Sequence, residues 1–173
     1  MFGGIAPPLN ASVRRQMRHF AFSVFVLAAL PGCHTVPPST SDPLCKPLQA
    51  FVASVGPGVT REVVFYTSWG SGFKGDSEPA LYAKRCDHGG YAPAKAVCDF
   101  LMEAGAVEFS GNNVVRALSC LSLDTHFAPR MQLNQGEFEF SFGSEQRREF
   151  VKVSFAEEPS LGAMALRITA NGY

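Results

Sequence analysis

Apolar residues along the chain recur first at helical spacing and later at every second position. Leu44, Leu48, Phe51, Val52 and Val55 fall at i, i+4, i+7, i+8 and i+11, one helical stripe, and Gly56-Pro57-Gly58 breaks it. Arg61 to Trp69 is rich in β-branched and aromatic residues. Val63, Phe65 and Trp69 lie on one face, with Val64 and Tyr66 on the other, so a central strand with two apolar faces is predicted. Gly70 to Pro79 reads as a glycine-rich loop and Leu81 to Cys86 as a short strand. Pro93 suits a first helical turn; Ala94, Val97, Cys98, Leu101 and Met102 follow at helical spacing, and Gly105 is placed to end that helix. Asn112 is read as the cap of a second short helix carrying Val114, Ala117, Leu118 and Leu121, with a hairpin around Gly111-Asn112-Asn113 as the alternative.

In the last third the period becomes two. Phe138, Phe140 and Phe142 alternate with Glu137, Glu139 and Ser141, a strand with one buried and one wet face. Val151, Val153 and Phe155 form the next inward row, and Met164, Leu166 and Ile168 the third, after a loop over Glu157 to Gly162. Placing Ser144 and Glu145 at the first turn sets Phe138 opposite Val151 and Glu137 opposite Lys152. The fold class is therefore α+β: a C-terminal three-strand antiparallel meander plus a central strand, covered by two or three amphipathic helices.

The first 43 residues lack such a pattern. Phe20 to Leu30 is a charge-free run of eleven residues, preceded by Arg14, Arg15 and Arg18 and followed by Pro31, Gly32 and Cys33. Eleven helical residues rise about 17 Å, too short for a bilayer that needs about twenty, so the run reads as the core of a signal peptide. Leu30-Pro31-Gly32-Cys33 resembles the lipobox of bacterial lipoproteins, in which the cysteine is lipidated and becomes the first residue after cleavage. The proline departs from the small residue commoner there. A plain secretory cut, leaving Cys33 as a free thiol, is the alternative. The resemblance implies residues 1–32 as signal peptide, with Met17 as an alternative start, residues 33–43 as lipidated cysteine and tether, and 44–173 as one periplasmic domain. His34, where an aspartate would signal inner-membrane retention, implies an outer-membrane anchor facing the periplasm.

Composition then narrows the classes. The 173 residues are 46% hydrophobic, enough for a core, and 15 basic residues balance 15 acidic ones, so no nucleic-acid arm is expected. Loss of Arg14, Arg15 and Arg18 with the leader leaves twelve basic residues against fifteen acidic, a net charge of −3. With Cys33 lipidated, Cys45, Cys86, Cys98 and Cys120 remain, and an oxidising periplasm predicts two disulfides. Cys98 with Cys120 and Cys45 with Cys86 is the favoured pairing, because the first would join neighbouring helices. No two cysteines stand at the C-x-x-C spacing of a zinc site.

Candidate chemistry is sparse. Lys74 lies among Gly70, Gly72 and Gly75 but outside a phosphate-loop spacing, and Trp69-Gly70-Ser71-Gly72 lacks the glycines of a nucleophile elbow. Asp87 and His88 sit beside glycines, Asp124 lies near His126, and such residues serve turns more often than catalysis or metal binding. Glu103 and Glu108 read as surface charges rather than a glycosidase pair, and the phenylalanine row as core. Trp69, near Phe73, Tyr82 and Tyr91 along glycine-rich connections, is equally a core strand end or a binding anchor. Cofactor-free binding, not catalysis, is expected, with Trp69, Phe73, Lys74, Asp76 and Glu78 as candidate partner-binding residues. By architecture and location the chain resembles small disulfide-bearing lipoproteins that inhibit lytic enzymes, such as lysozyme inhibitors and immunity proteins. The expected partner is then a basic peptidoglycan-degrading enzyme. An accessory role in envelope assembly or secretion is the second expectation, and a hydrolase using His88 or His126 the third.

Overall fold

The computed structural model describes residues 42–125, 127–128, 131–144 and 147–173; the expected leader, Cys33, nearly all of the tether and His126 lie outside them. Three helices, α1 (Cys45–Ala53), α2 (Ala92–Ala104) and α3 (Gly111–Leu121), accompany five strands: β1 (Thr60–Trp69), β2 (Tyr82–Asp87), β3 (Gly136–Ser144), β4 (Arg147–Glu158) and β5 (Ala163–Gly172). The strands form one antiparallel sheet in the order β2-β1-β5-β4-β3. The fold is thus α+β, and β1 is an interior strand.

The helices share one face of the sheet. Val63, Phe65, Leu166, Ile168, Val151, Val153 and Phe155 form a single core with Leu48, Phe51, Val52, Val97, Leu101, Val114 and Leu118. These are the period-two rows of the strands meeting the period-3.6 stripes of the helices, which is the only arrangement that takes both out of water. Met102, counted in the α2 stripe, is instead exposed. The opposite face is polar over the meander, where Lys152 lies 2.8 Å from Glu137 and 3.6 Å from Glu139. Those two carboxylates raise the Lys152 pKa, the hydrogen bond to Glu137 most.

Three expectations are corrected. The disulfides are Cys45–Cys120 and Cys86–Cys98. α1 packs against both α2 and α3, so α3's cysteine meets α1, and α2 lies over β2, so its cysteine meets Cys86. α2 and α3, neighbours in sequence, pack on α1 rather than chiefly on each other. In the meander, Phe138 faces Val153 and Glu139 faces Lys152, two residues from the expected pairing, because Ser144 still pairs with Arg147. A slip of two leaves every side chain on its expected face, so the apolar row is unaffected. Finally, α3 begins at Gly111 after Ser110, with Asn112 inside the helix rather than capping it.

Gly105 does end α2, but at φ −71°, a conformation open to any residue. Its glycine is required because an added Cβ would collide with the Leu101 carbonyl oxygen and the Phe65 ring.

Candidate partner-binding surface

The Gly70–Pro79 loop is anchored at several points. Gly70, at φ +83°, donates its N–H to the Leu81 carbonyl at 2.8 Å and starts the turn away from β1. The Asp76 carboxylate accepts the Phe73 N–H at 2.9 Å, and the Lys74 N–H reaches the Leu161 carbonyl at 2.7 Å. Phe73 is only 6% exposed, and the Arg85 guanidinium stacks 4.6 Å from its ring centroid. Arg85 pairs with Tyr66 on the sheet face away from the helices, so the loop folds over that face. Phe73 is therefore a packing residue and not an exposed anchor, a correction to the candidate set. Its burial follows from the loop docking on Leu161, which no local pattern encodes.

Lys74, Asp76 and Glu78 remain exposed, around a depression that includes Leu161 and Gly162. Trp69 lies on the other side of the strand end. It continues the Val63–Phe65–Thr67 row, yet is 51% exposed. Its antiparallel partner is Tyr82, 54% exposed, and Leu81 next to it is 68% exposed. Two exposed aromatic residues thus occupy directly paired positions at one end of β1 and β2. Tyr91, by contrast, is a packing residue: its hydroxyl donates to the Ser54 carbonyl at 3.0 Å, and Arg61 stacks 4.9 Å from its ring.

Beside Trp69 opens a cleft of about 410 Å³ between the ends of β1, β4 and β5 and the α2–α3 connection. A second hollow of about 320 Å³ adjoins it, sharing Glu108, Ser110, Glu157 and Met164. Glu157 and Glu158 are the last residues of β4 rather than loop residues, as the sequence had suggested. Glu157 continues the Val151–Val153–Phe155 row past the end of the apolar core, and that alternation was the available signal for it. The α2–α3 connection is held by Asn113, which is 1% exposed. Its amide accepts the Ala106 N–H at 2.9 Å and donates to the Ala106 carbonyl at 2.7 Å. Glu108 follows two residues later and lines both hollows. Glu103 stays on α2, where its backbone carbonyl and that of Met102 accept the Lys84 ammonium. Burial against that helix end lowers the Lys84 pKa.

Among the described residues, the cleft's charged side chains are Glu108, Glu157 and Glu158, and neither hollow is lined by Lys, Arg or His. Glu158 accepts the Ser160 hydroxyl at 2.6 Å. Neither Glu108 nor Glu157 is held in an ion pair among the described residues. Among the described residues, the polar groups considered for catalysis do not gather. Asp87 accepts the Gly89 N–H at 3.0 Å as a turn residue, and His88 is half-buried with its Nδ1 unbonded, beside Thr60 and Arg61. Among the described residues no group of three or more His, Cys, Asp or Glu side chains could hold a metal ion. Compared with known proteins, the chain matches no family model, no curated protein and no solved structure.

Proposed function

We propose that this chain is a lipid-anchored periplasmic protein whose disulfide-braced domain binds and inhibits a basic, lysozyme-like cell-wall-degrading enzyme, as an inhibitor or an immunity protein. The observation that carries the reading is the exposed Trp69, paired with exposed Tyr82, at the mouth of a cleft whose charged lining among the described residues is acidic. Large aromatic side chains fixed on a rigid frame lose little entropy on binding and commonly supply most of an interface's energy. Carboxylates around them favour approach by a basic protein and weaken binding to acidic ones. Two disulfides agree with an oxidising compartment, and the Leu30–Cys33 sequence with an anchor at its membrane.

The test is peptidoglycan hydrolysis by a panel of basic muramidases, with and without the purified, oxidised protein. Inhibition of at least one, lost in Trp69→Ala and Tyr82→Ala variants that keep their thermal transition, is the expected result. No inhibition of any member overturns the inhibitor reading. Selective retention of an assembly or secretion component from envelope extracts, with no lytic enzyme retained, would assign the accessory role instead.

A further inference from the structure

We propose that the aromatic pair and its cleft read an arginine side chain projecting from the partner, with the guanidinium stacked on Trp69 and hydrogen-bonded to Glu157 or Glu108. This rests on the protein-binding reading above and names the group that the surface recognises.

Shape and chemistry together select the occupant. Trp69 and Tyr82 stand half-exposed at the end of the helix-covered sheet face, beyond the end of α2. The adjoining space, about 410 Å³, accommodates a long side chain, whereas one water takes about 30 Å³. Glu108 and Glu157 reach it from different elements, one from the α2–α3 connection and one from β4. Neither is neutralised by a cation of this chain among the described residues. Lys84, opposite Thr67 on β2, is committed to the α2 carbonyls.

Charge complementarity therefore calls for a cation from the partner. A neutral ligand, a sugar included, would strip water from two carboxylates without replacing it by opposite charge. Among cations, ammonium satisfies the carboxylates as a point charge. A guanidinium is planar and more weakly hydrated, stacks on an indole and donates two parallel hydrogen bonds to one carboxylate. An ammonium can also sit over the ring, but only the guanidinium combines planar stacking on it with a bidentate hydrogen bond to a carboxylate.

Trp69 is the chain's single tryptophan, so tryptophan fluorescence, excited selectively over the tyrosines, reports from the mouth of the cleft. The purified protein with both disulfides formed is titrated with the blocked tripeptide Gly-Arg-Gly and with its lysine and citrulline counterparts, citrulline keeping the shape of arginine without its charge. The expected result is a saturable change with the arginine peptide, weakened by added salt, and binding roughly tenfold weaker for citrulline. Glu157→Gln and Glu108→Gln should each weaken the arginine peptide by roughly three- to tenfold, while Glu137→Gln on the opposite sheet face leaves it unchanged. Circular dichroism of each variant separates lost binding from lost folding. No saturable response, an equal response to citrulline, equal affinity for lysine, or equal loss in Glu137→Gln overturns the proposal. Muramidase inhibition that survives both glutamine variants would overturn the arginine reading while leaving the inhibitor reading intact. Arginine-selective binding without inhibition of any muramidase would do the reverse.

Discussion

One carboxylate joins the start of the domain to α3. Asp42 accepts the Leu44 N–H at 2.9 Å at the entry to α1 and receives two hydrogen bonds from Arg116, at 2.7 and 2.8 Å, while Arg116 stacks over Phe100. The Arg116 hydrogen bonds hold the Asp42 pKa below the usual carboxylate range, and the same contact raises that of Arg116. A depressed carboxylate pKa stabilises the folded state above its unfolded value, and that contribution disappears as pH falls through the lowered folded value. Asp42→Asn should therefore lower the thermal midpoint at neutral pH and lessen its further fall under acid, measured by thermal melts across the acid range. The pair is about a quarter exposed, so solvent screening keeps the effect modest. Gly105→Ala tests a different residue-scale demand: the added methyl meets the Leu101 carbonyl and Phe65, for a loss of about 1–3 kcal/mol in chemical denaturation. The glycine was readable as a helix end, but the full reason for it was not, because part of that reason is the Phe65 ring contributed by β1.

At the scale of elements, the two disulfides do different work. Cys45–Cys120 closes a loop of 75 residues and ties α1 to α3, whereas Cys86–Cys98 spans 12 and ties β2 to α2. Loop-closure entropy puts them at about 4.5 and about 3 kcal/mol respectively. The Cys45→Ala/Cys120→Ala double variant should accordingly lose more stability than Cys86→Ala/Cys98→Ala in denaturant titrations. An equal loss would show that the unfolded chain is already structured around one of them. Strands and helices were legible here because burial of one face imposes a period. α1, β1, α2 and the meander all fall where that period places them. The pairings between them were less legible. Nothing in Cys98 or Cys120 records that α1 lies against both of their helices, and the register of Phe138 depends on which two residues separate the strands.

The whole molecule separates two sets of aromatic residues that look alike in sequence. Phe65 is fully buried and Trp69, four residues further along the same face of β1, is half-exposed. Phe65→Ala should cost about 3–5 kcal/mol of stability, whereas Trp69→Ala should leave stability nearly unchanged and abolish partner binding. Chemical denaturation and the muramidase assay on the same two variants check both halves. A Trp69→Ala variant that unfolds as readily as Phe65→Ala would make that ring part of the core. The candidate surface itself was half readable. Trp69 and Tyr82 stand out as aromatics near glycine-rich connections, but Glu108 and Glu157 lie 49 residues apart and meet only where α2 and β4 end at the same side of the sheet.

From sequence alone, the chain's α+β character, the two faces of β1 and of the meander strands and the presence of two disulfides followed, since each is set by composition or by a repeat within about a dozen residues. Disulfide partners, the burial of Phe73 and the joining of Trp69 to an acidic cleft were decided by tertiary structure. Those features depend on which elements pack side by side, and that choice is made by the collective burial of the core rather than by any local stretch of chain.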